Sequence, residues 1–174
     1  MLFRSTGIVT TGIKEGVAPA ALAGRAVSSM RRLNSVGPDL AERRLVRAGT
    51  DITGFGLLGH LASLCRQSGV GAEIEARAVP ILGRGIWDLI ARGCIPGGTR
   101  KNLKCAQSTT DWLNVTEGQK LLLADAQTSG GLLLCVSESN LGRVLTRLRS
   151  DHALSVARIG RIVRSSESRI LVKG

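Results

Sequence analysis

Hydrophobic residues follow a helical period in the first half of the chain. Over residues 54–67, apolar side chains recur at the spacing of one helix face, which predicts a helix. The stripe consists of Phe55, Leu58, Leu61, Ala62 and Cys65, widened by Leu57 and Leu64. The opposite face carries the small or polar residues Gly56, Gly59, His60 and Ser63. We expect this helix to be buried, with another backbone packed closely against its glycines, and to end at Gly69.

Further helices are predicted on both sides of this segment. Pro19 stands at a helix-starting position before residues 20–34, and Gly37 and Pro38 are expected to close that first helix. Residues 83–93 predict a short helix, and 96–102 (PGGTRKN) predict a loop. Residues 137–152 predict a helix whose cap is Ser137 or Ser139. Its buried stripe would be Leu141, Val144, Leu145 and Leu148.

Strands are predicted between the helices. Residues 70–79 alternate between apolar and polar side chains, and 132–137 form a short apolar run that follows a polar turn. Two more strands are expected at 155–163 and 169–173. Because helices and strands interleave, the sequence predicts a mixed α/β domain built around a sheet.

Composition is typical of one globular domain. The chain has 174 residues, of which 43% are hydrophobic and 21% charged, and it contains neither an apolar run of membrane-spanning length nor a secretory signal. We therefore expect a cytoplasmic protein that does not enter a membrane. The net charge of +11 suggests an anionic partner. Two Phe, two Trp and no Tyr offer few stacking surfaces, so we favour solvent-exposed arginines over nucleic-acid binding.

The four cysteines do not form a metal or disulfide pattern. Cys65, Cys94, Cys105 and Cys135 are widely spaced and include no C-x-x-C pair. Cys65 and Cys135 lie in apolar stretches, so we expect them to be small buried hydrophobic residues.

The first five residues look foreign to the protein. Leu2, Phe3, Arg4 and Ser5 are the residues that the end of a widely used sequencing adapter encodes. We therefore expect residues 1–5 to be non-native and the natural sequence to begin near Thr6.

A glycine-rich segment raises the question of nucleotide binding. Gly54, Gly56 and Gly59 match the pattern G-x-G-x-x-G, which requires a strand before it, a helix after it and an acid about 20 residues later. A helix and suitable acids are predicted, but the preceding residues 43–51 (RRLVRAGTD) make a poor strand. Asp51 would also repel a pyrophosphate at such a helix start. A Walker A loop is excluded because no Lys-Ser/Thr pair follows the glycines.

Asp51 therefore has two interpretations. Either Asp51 or Thr53 caps the helix through its side-chain oxygen. Alternatively, Asp51 binds Mg²⁺, which bridges the carboxylate to substrate phosphates, a common arrangement for this ion.

The other polar motifs are similarly open. One motif is equally consistent with a phosphate-binding group and with an ordinary turn; it consists of Gly97, Gly98, Thr99 and Arg100. For residues 127–131 (QTSGG) we favour a turn that leads into a buried strand. His60 is expected to be hydrogen-bonded on a packed helix face, and His152 to face solvent.

Three motifs together resemble one enzyme family. TDITGFGLLGHL, PGGTRKN and DAQTSGGLL occur here in the order found in the C-terminal half of selenophosphate synthetases, also called selenide, water dikinases. The segments TGIVTTGIKEG and SMRRLN also resemble that family, so the likeness extends over nearly the whole chain. Ala126 is a departure, since the family usually has proline there, and the loss of proline costs about 0.4–1 kcal/mol through unfolded-state entropy.

The resemblance implies a function, a fold and a site. The family uses ATP, selenide and water to make selenophosphate, AMP and phosphate, for selenocysteine and selenium-modified tRNA. It implies that residues 6–174 form a three-layer α/β/α domain like the C-terminal domain of aminoimidazole ribonucleotide synthetase, with partial ferredoxin-like topology. Asp51 matches the family's magnesium ligand in this half.

The resemblance also implies what residues 6–174 lack. The reactive Cys or selenocysteine, the catalytic Lys and the other metal ligands belong to the preceding half, so no catalytic residue is expected here and the fragment should be inactive alone. The intact enzyme is expected to be a homodimer. The alternatives are another ATP-using member of the superfamily, of the thiamine-monophosphate kinase or hydrogenase-maturation type, and a basic polyanion-binding module.

Overall fold

Helices and strands alternate along the chain in the computed structural model, which describes residues 5–151 and 155–174. The helices are α1 (Thr6–Lys14), α2 (Ala20–Met30), α3 (Val36–Glu42), α4 (Gly56–Ser68), α5 (Ile86–Ala91), α6 (Gly97–Ala106), α7 (Glu117–Leu123) and α8 (Glu138–Ser150). The strands are β1 (Ala48–Asp51), β2 (Val70–Glu75), β3 (Thr110–Leu113), β4 (Leu132–Cys135), β5 (Gly160–Arg164) and β6 (Ile170–Lys173). The predicted mixed α/β class is confirmed. Residues 1–4 and His152 lie outside the described residues.

The strands form two sheets rather than one. In the four-stranded sheet the order is β3-β6-β2-β5, with β6 parallel to both of its neighbours and β5 antiparallel to β2. In the second sheet β1 pairs antiparallel with β4, so that Asp51 lies opposite Leu132. The segment before the glycines therefore does end in a strand, contrary to the sequence prediction. Among the described helices, none has both the length and the apolar character needed to cross a membrane.

Among the residues that the structure describes, two apolar clusters make the core. The larger one is formed mainly by α1, α4, α5 and the four-stranded sheet, and the smaller one joins α3, β4 and α8. Helix α4 buries Leu57, Leu58, Leu61 and Cys65, as its periodicity predicted. Phe55 departs from the predicted stripe, because it precedes the helix and its side chain is 69% exposed.

The glycine face of α4 contacts another backbone at one point. A Cβ built on Gly56 would lie 2.7 Å from the carbonyl carbon and oxygen of Ala124, and the residue has a φ of +67°. Gly59, by contrast, is exposed. The predicted backbone approach is confirmed at Gly56, and Gly69 ends the helix in the left-handed conformation as expected.

Several segments differ from the predicted elements. Helix α2 ends at Met30, while Gly37 and Pro38 lie inside α3 instead of closing the first helix. PGGTRKN is the start of α6 and not a loop. The predicted helix at 137–152 is confirmed as α8, although the Ser137 hydroxyl makes no cap bond and pairs with Ser139.

Gly56 provides a test of the contact between α4 and Ala124. Gly56→Ala should lower the free energy of unfolding by about 2 kcal/mol or more, because an L residue is strained at this φ and its methyl group meets a backbone. Gly24→Ala is the matched control, since Gly24 is an exposed residue of α2 with open space around it. That change should raise stability by up to about 1 kcal/mol. Urea unfolding measures both, and equal effects would contradict the contact.

Candidate functional site

The three motifs singled out in the sequence meet at one place, which we call the junction. It comprises the Asp51 loop (residues 51–56), the first turn of α6 (97–100) with Asn102, and the segment 124–131. Asn102 Nδ2 donates to the carbonyl oxygens of Gly54, at 2.7 Å, and Ala124, at 3.1 Å. The Gln127 amide donates to the Thr53 carbonyl oxygen at 3.1 Å. Residues distant in sequence therefore support one another at this point.

Asp51 stands at the end of β1 with its side chain exposed. The next residue, Ile52, is fully buried, and its amide donates to the Gly131 carbonyl oxygen at 2.8 Å. Asn34 Nδ2 donates to Asp51 Oδ1 at 2.6 Å and to the Gly130 carbonyl oxygen at 3.0 Å. The buried Ile52 therefore anchors the loop, and Asn34 orients the carboxylate that the loop carries.

Neither Asp51 nor Thr53 caps α4, so the capping interpretation is wrong. Phe55 occupies the cap position and no side chain bonds the helix start. The Thr53 amide instead donates to His60 Nε2 at 3.0 Å, and the Thr53 hydroxyl lies 3.1 Å from the same nitrogen. A hydrogen-bonded His60 on the helix is confirmed.

His60 accepts the Thr53 bond as a neutral imidazole, because the accepting nitrogen carries no proton. Burial lowers the pKa of His60, and the negative charge of Asp51 opposes that shift. The Phe55 ring contacts the imidazole edge-to-face, with ring centroids 5.9 Å apart. The neutral His60 side chain therefore holds the middle of the Asp51 loop.

The donor set at Asp51 fits Mg²⁺ as part of a site. Within residues 5–151 and 155–174, no three His, Cys, Asp or Glu side chains converge to enclose a metal ion. Mg²⁺ is usually held by one or two carboxylates together with substrate phosphates and water, so a single exposed carboxylate suits it as one ligand among several. The metal role of Asp51 stays a prediction.

The first turn of α6 has two faces. Gly97, Gly98 and Arg100 are exposed, whereas Thr99 is fully buried. The Thr99 hydroxyl donates to Asp125 Oδ1 at 3.1 Å and accepts from the Ala126 amide at 3.0 Å. Phosphate binding by these four residues stays a prediction, and the Thr99 side chain is directed away from any such ligand.

Asp125 is the residue that sequence reasoning missed. Its side chain is fully buried, and Oδ2 accepts the Gly7 amide at 3.0 Å. Burial raises the pKa of Asp125 to about 7, against the opposing effect of hydrogen bonds from the Ile8 amide, the Thr99 hydroxyl and the Gly7 amide. One feature of the sequence could have indicated its importance: an acidic residue stands between an apolar helical segment and the QTSGG turn.

The QTSGG segment is the turn that the sequence predicted, and it leads into β4. The Thr6 hydroxyl donates to the Thr128 carbonyl oxygen at 3.1 Å, and the Ser129 hydroxyl donates to the Met30 carbonyl oxygen at 2.9 Å. A Cβ on Gly130 would lie within 3.0 Å of the Ile52 carbonyl carbon, so this position requires glycine. The turn thus joins α1 and α2 to the Asp51 loop.

The four cysteines lie outside the junction's network. All are free thiols; Cys65 and Cys94 are buried, Cys135 is half-buried and Cys105 is exposed. Burial raises the pKa of the Cys65 and Cys135 thiols, which keeps both protonated, and the expectation of a small buried residue is confirmed for Cys65. Both line a separate apolar cavity of about 500 Å³ between α4, β4 and α8.

Comparison with known proteins agrees with this architecture. The family model described as AIR synthase related protein, C-terminal domain, matches residues 15–173. The selenide, water dikinase of Photorhabdus laumondii is 40% identical over 167 residues, which are 96% of this chain and 47% of that protein. The Haemophilus influenzae protein of the same name is 38% identical over 167 residues, again 96% of this chain and 47% of the relative. The chain spans about half the length of the curated relatives it matches.

Solved structures share the fold at low sequence identity. A crystal structure of the hydrogenase maturation protein HypE matches with a TM-score of 0.69 at 16% identity, covering 98% of this chain and 46% of that one. The thiamine-monophosphate kinase of Stenotrophomonas maltophilia matches with a TM-score of 0.62 at 17% identity, covering 98% and 47%. These likenesses support the mixed α/β architecture.

The buried carboxyl of Asp125 should make stability depend on pH. An aspartate in an unfolded chain has a pKa of about 3.9, so unfolding releases the proton that folded Asp125 keeps up to a pH of about 7. Its contribution is fully present below pH of about 4 and is lost as the pH rises towards 7, with a slope of at most about 1.4 kcal/mol per pH unit.

Urea unfolding between pH 4 and 8 measures this contribution as the difference between wild type and Asp125→Asn. The difference between the two proteins is needed because the lowered pKa of His60 makes stability change with pH in the opposite direction. This effect is present in both proteins and cancels in the difference. Asp111→Asn is the control, since Arg169 lowers the pKa of this exposed carboxyl. Identical pH profiles for wild type and Asp125→Asn would contradict the raised pKa.

Proposed function

Because the chain belongs to the family of AIR synthase related proteins, as their C-terminal domain, we propose that it acts as the C-terminal half of a selenide, water dikinase. The reaction proposed for the complete enzyme converts ATP, selenide and water into selenophosphate, AMP and phosphate. The identity of 40% to a protein of that name, over 96% of the chain, supports this assignment. The observation that carries the proposal is the meeting of the three motifs around an exposed Asp51.

In this proposal Asp51 is a ligand of the Mg²⁺ that accompanies ATP. The ion would neutralise negative charge on the phosphates, the main requirement of phosphoryl transfer. The chain's own contribution is the orientation of the carboxylate, since Asn34 holds Oδ1 and the residues that follow are anchored by Ile52 and His60. A carboxylate fixed in advance loses less conformational freedom when the ligand binds.

The first turn of α6 is proposed to face the phosphates. The amides of Gly97 and Gly98 begin an α-helix without a side-chain cap, and such helix starts favour anions. The exposed guanidinium of Arg100 adds positive charge and donors suited to phosphate oxygens. Asn102 links this turn to the Asp51 loop through the Gly54 carbonyl oxygen, so both proposed binding elements share one support.

The remaining chemistry is assigned to the other half of the enzyme. None of the four cysteines is proposed as the reactive residue, because none of them matches the family's reactive position. In addition, Cys65, Cys94 and Cys135 are buried or half-buried thiols whose pKa is raised by burial. Reaction with selenide, dimerisation and a cytoplasmic location are proposed for the complete protein, and the chain alone is expected to be inactive.

The alternatives have less support. HypE and thiamine-monophosphate kinase are only 16% and 17% identical to the chain, compared with 40% for the dikinase. A polyanion-binding module would use the net charge of +11. However, the identity of 40% over 96% of the chain is to a protein named as an enzyme, which favours the enzymatic proposal.

A chimera provides the test of this function. Residues 6–174 replace the C-terminal half of the Photorhabdus laumondii enzyme, and selenide-dependent formation of AMP from ATP is measured. The chimera should be active, and Asp51→Asn should lower kcat/KM by about 100-fold because a charge that organises the phosphates is lost. Asp88→Asn, which changes an exposed carboxylate on α5, is the control and should retain activity.

The two possible failures are separate. A folded chimera that forms no AMP would contradict the proposed function. An active chimera in which Asp51→Asn behaves like Asp88→Asn would contradict the metal role alone.

A further inference from the structure

A chain of buried hydrogen bonds runs beneath the exposed face of the junction. The Ala126 amide donates to Thr99 Oγ1, and the Thr99 hydroxyl donates to Asp125 Oδ1. The second carboxylate oxygen accepts the Gly7 amide. Because Thr99 Oγ1 accepts the amide proton, its own proton is directed to Asp125, so the three groups have one mutual arrangement.

We call this chain of hydrogen bonds among Ala126, Thr99, Asp125 and Gly7 the buried relay. It is linked to both exposed elements of the junction, the first turn of α6 and the Asp51 loop. Thr99 is flanked in the first turn of α6 by Gly98 and Arg100, which are exposed, so the inward-facing hydroxyl fixes the backbone that presents them. On the other side, the residues next to the relay reach the Asp51 loop. Asn102 Nδ2 donates to the carbonyl oxygens of both Ala124 and Gly54. The Gln127 backbone amide donates to the Thr53 carbonyl oxygen.

Close packing leaves the relay little freedom. A Cβ on Gly7 would overlap the Ala126 carbonyl oxygen and would lie 2.6 Å from Asp125 Oδ1. A Cβ on Gly98 would lie 3.1 Å from the Ala126 Cβ. Any displacement of Asp125 therefore moves α1, α6 or the QTSGG turn with it.

We propose that Thr99 and Asp125 are positioning residues that hold the first turn of α6 and the Asp51 loop in the mutual arrangement that binds magnesium nucleotide. This inference rests on the function proposed above. Neither side chain touches the ligand, since both are fully buried and bonded to each other. Thr99, one of the four residues for which the sequence left phosphate binding and an ordinary turn equally open, thus acts through its neighbours.

The test compares hydroxyl variants in the active chimera. Thr99→Val keeps the side-chain shape but removes the bridge between Ala126 and Asp125, and it should raise KM for magnesium ATP by about 10-fold or more, the size expected when support of a binding group is lost. Thr99→Ser restores the hydroxyl and should return KM to within about 3-fold of wild type. The same comparison is made for Asp125→Asn, which keeps the volume of the buried side chain and should also raise KM.

Thr116→Val separates positioning from a general loss of stability. Thr116 caps the start of α7 by accepting the Gln119 amide, so its replacement removes an exposed side-chain hydrogen bond at the end of α7 that lies away from Asp125. This variant should lower the unfolding midpoint without raising KM. If Thr99→Val and Asp125→Asn raise KM no more than Thr116→Val does, the inference is overturned while the proposed function stands. If Thr99→Val does not fold, Asp125→Asn and Thr99→Ser decide the matter by the same readout.

Discussion

The interior carboxylate of Asp125 is the constraint on which the rest of the site depends. A buried carboxyl group is costly unless hydrogen bonds replace its lost hydration. Here the replacements come from two segments: the start of α1, through the Gly7 and Ile8 amides, and the first turn of α6, through the Thr99 hydroxyl. The requirement to satisfy one acid therefore brings together segments that are more than 100 residues apart.

The backbones around this acid approach so closely that side chains are excluded. Gly7, Gly56 and Gly130 each lie against the backbone of another segment, at Ala126, Ala124 and Ile52 respectively. These contacts explain the glycines at positions 7, 56 and 130 by packing between segments, whereas Gly54 and Gly97 have open space around them. The exposed surface of the junction carries Asp51 and Arg100.

At Ala126 the chain departs from a family pattern, and the departure changes which free-energy contributions stabilise this segment. Where the resembling family usually has proline, this chain has an amide, and that amide donates to Thr99. The entropic loss of about 0.4–1 kcal/mol expected without proline is comparable to the net gain of about 0.5–1.5 kcal/mol from one hydrogen bond. The relay beneath the junction thus has a donor that proline cannot supply.

Sequence alone determined the elements whose periodicity is strong. The apolar stripes of α4 and α8, the strands at β2, β4 and β6, and the order of the three motifs were all accessible, because each depends on residues close together in the chain. The same reasoning singled out Asp51 and also offered a cap as its role, which the tertiary structure replaced with a bond to Asn34.

Only the tertiary structure decided the elements and contacts that are stabilised from a distance. α1 is rich in glycine and β-branched residues and α6 begins with two glycines, so neither has a local preference for helix. Both are helical where Asp125 and Thr99 anchor their first turns, and β1 is a strand because β4 pairs with it. Local pattern cannot report such partners, because the free energy that selects these conformations comes from groups brought together only when the chain has folded.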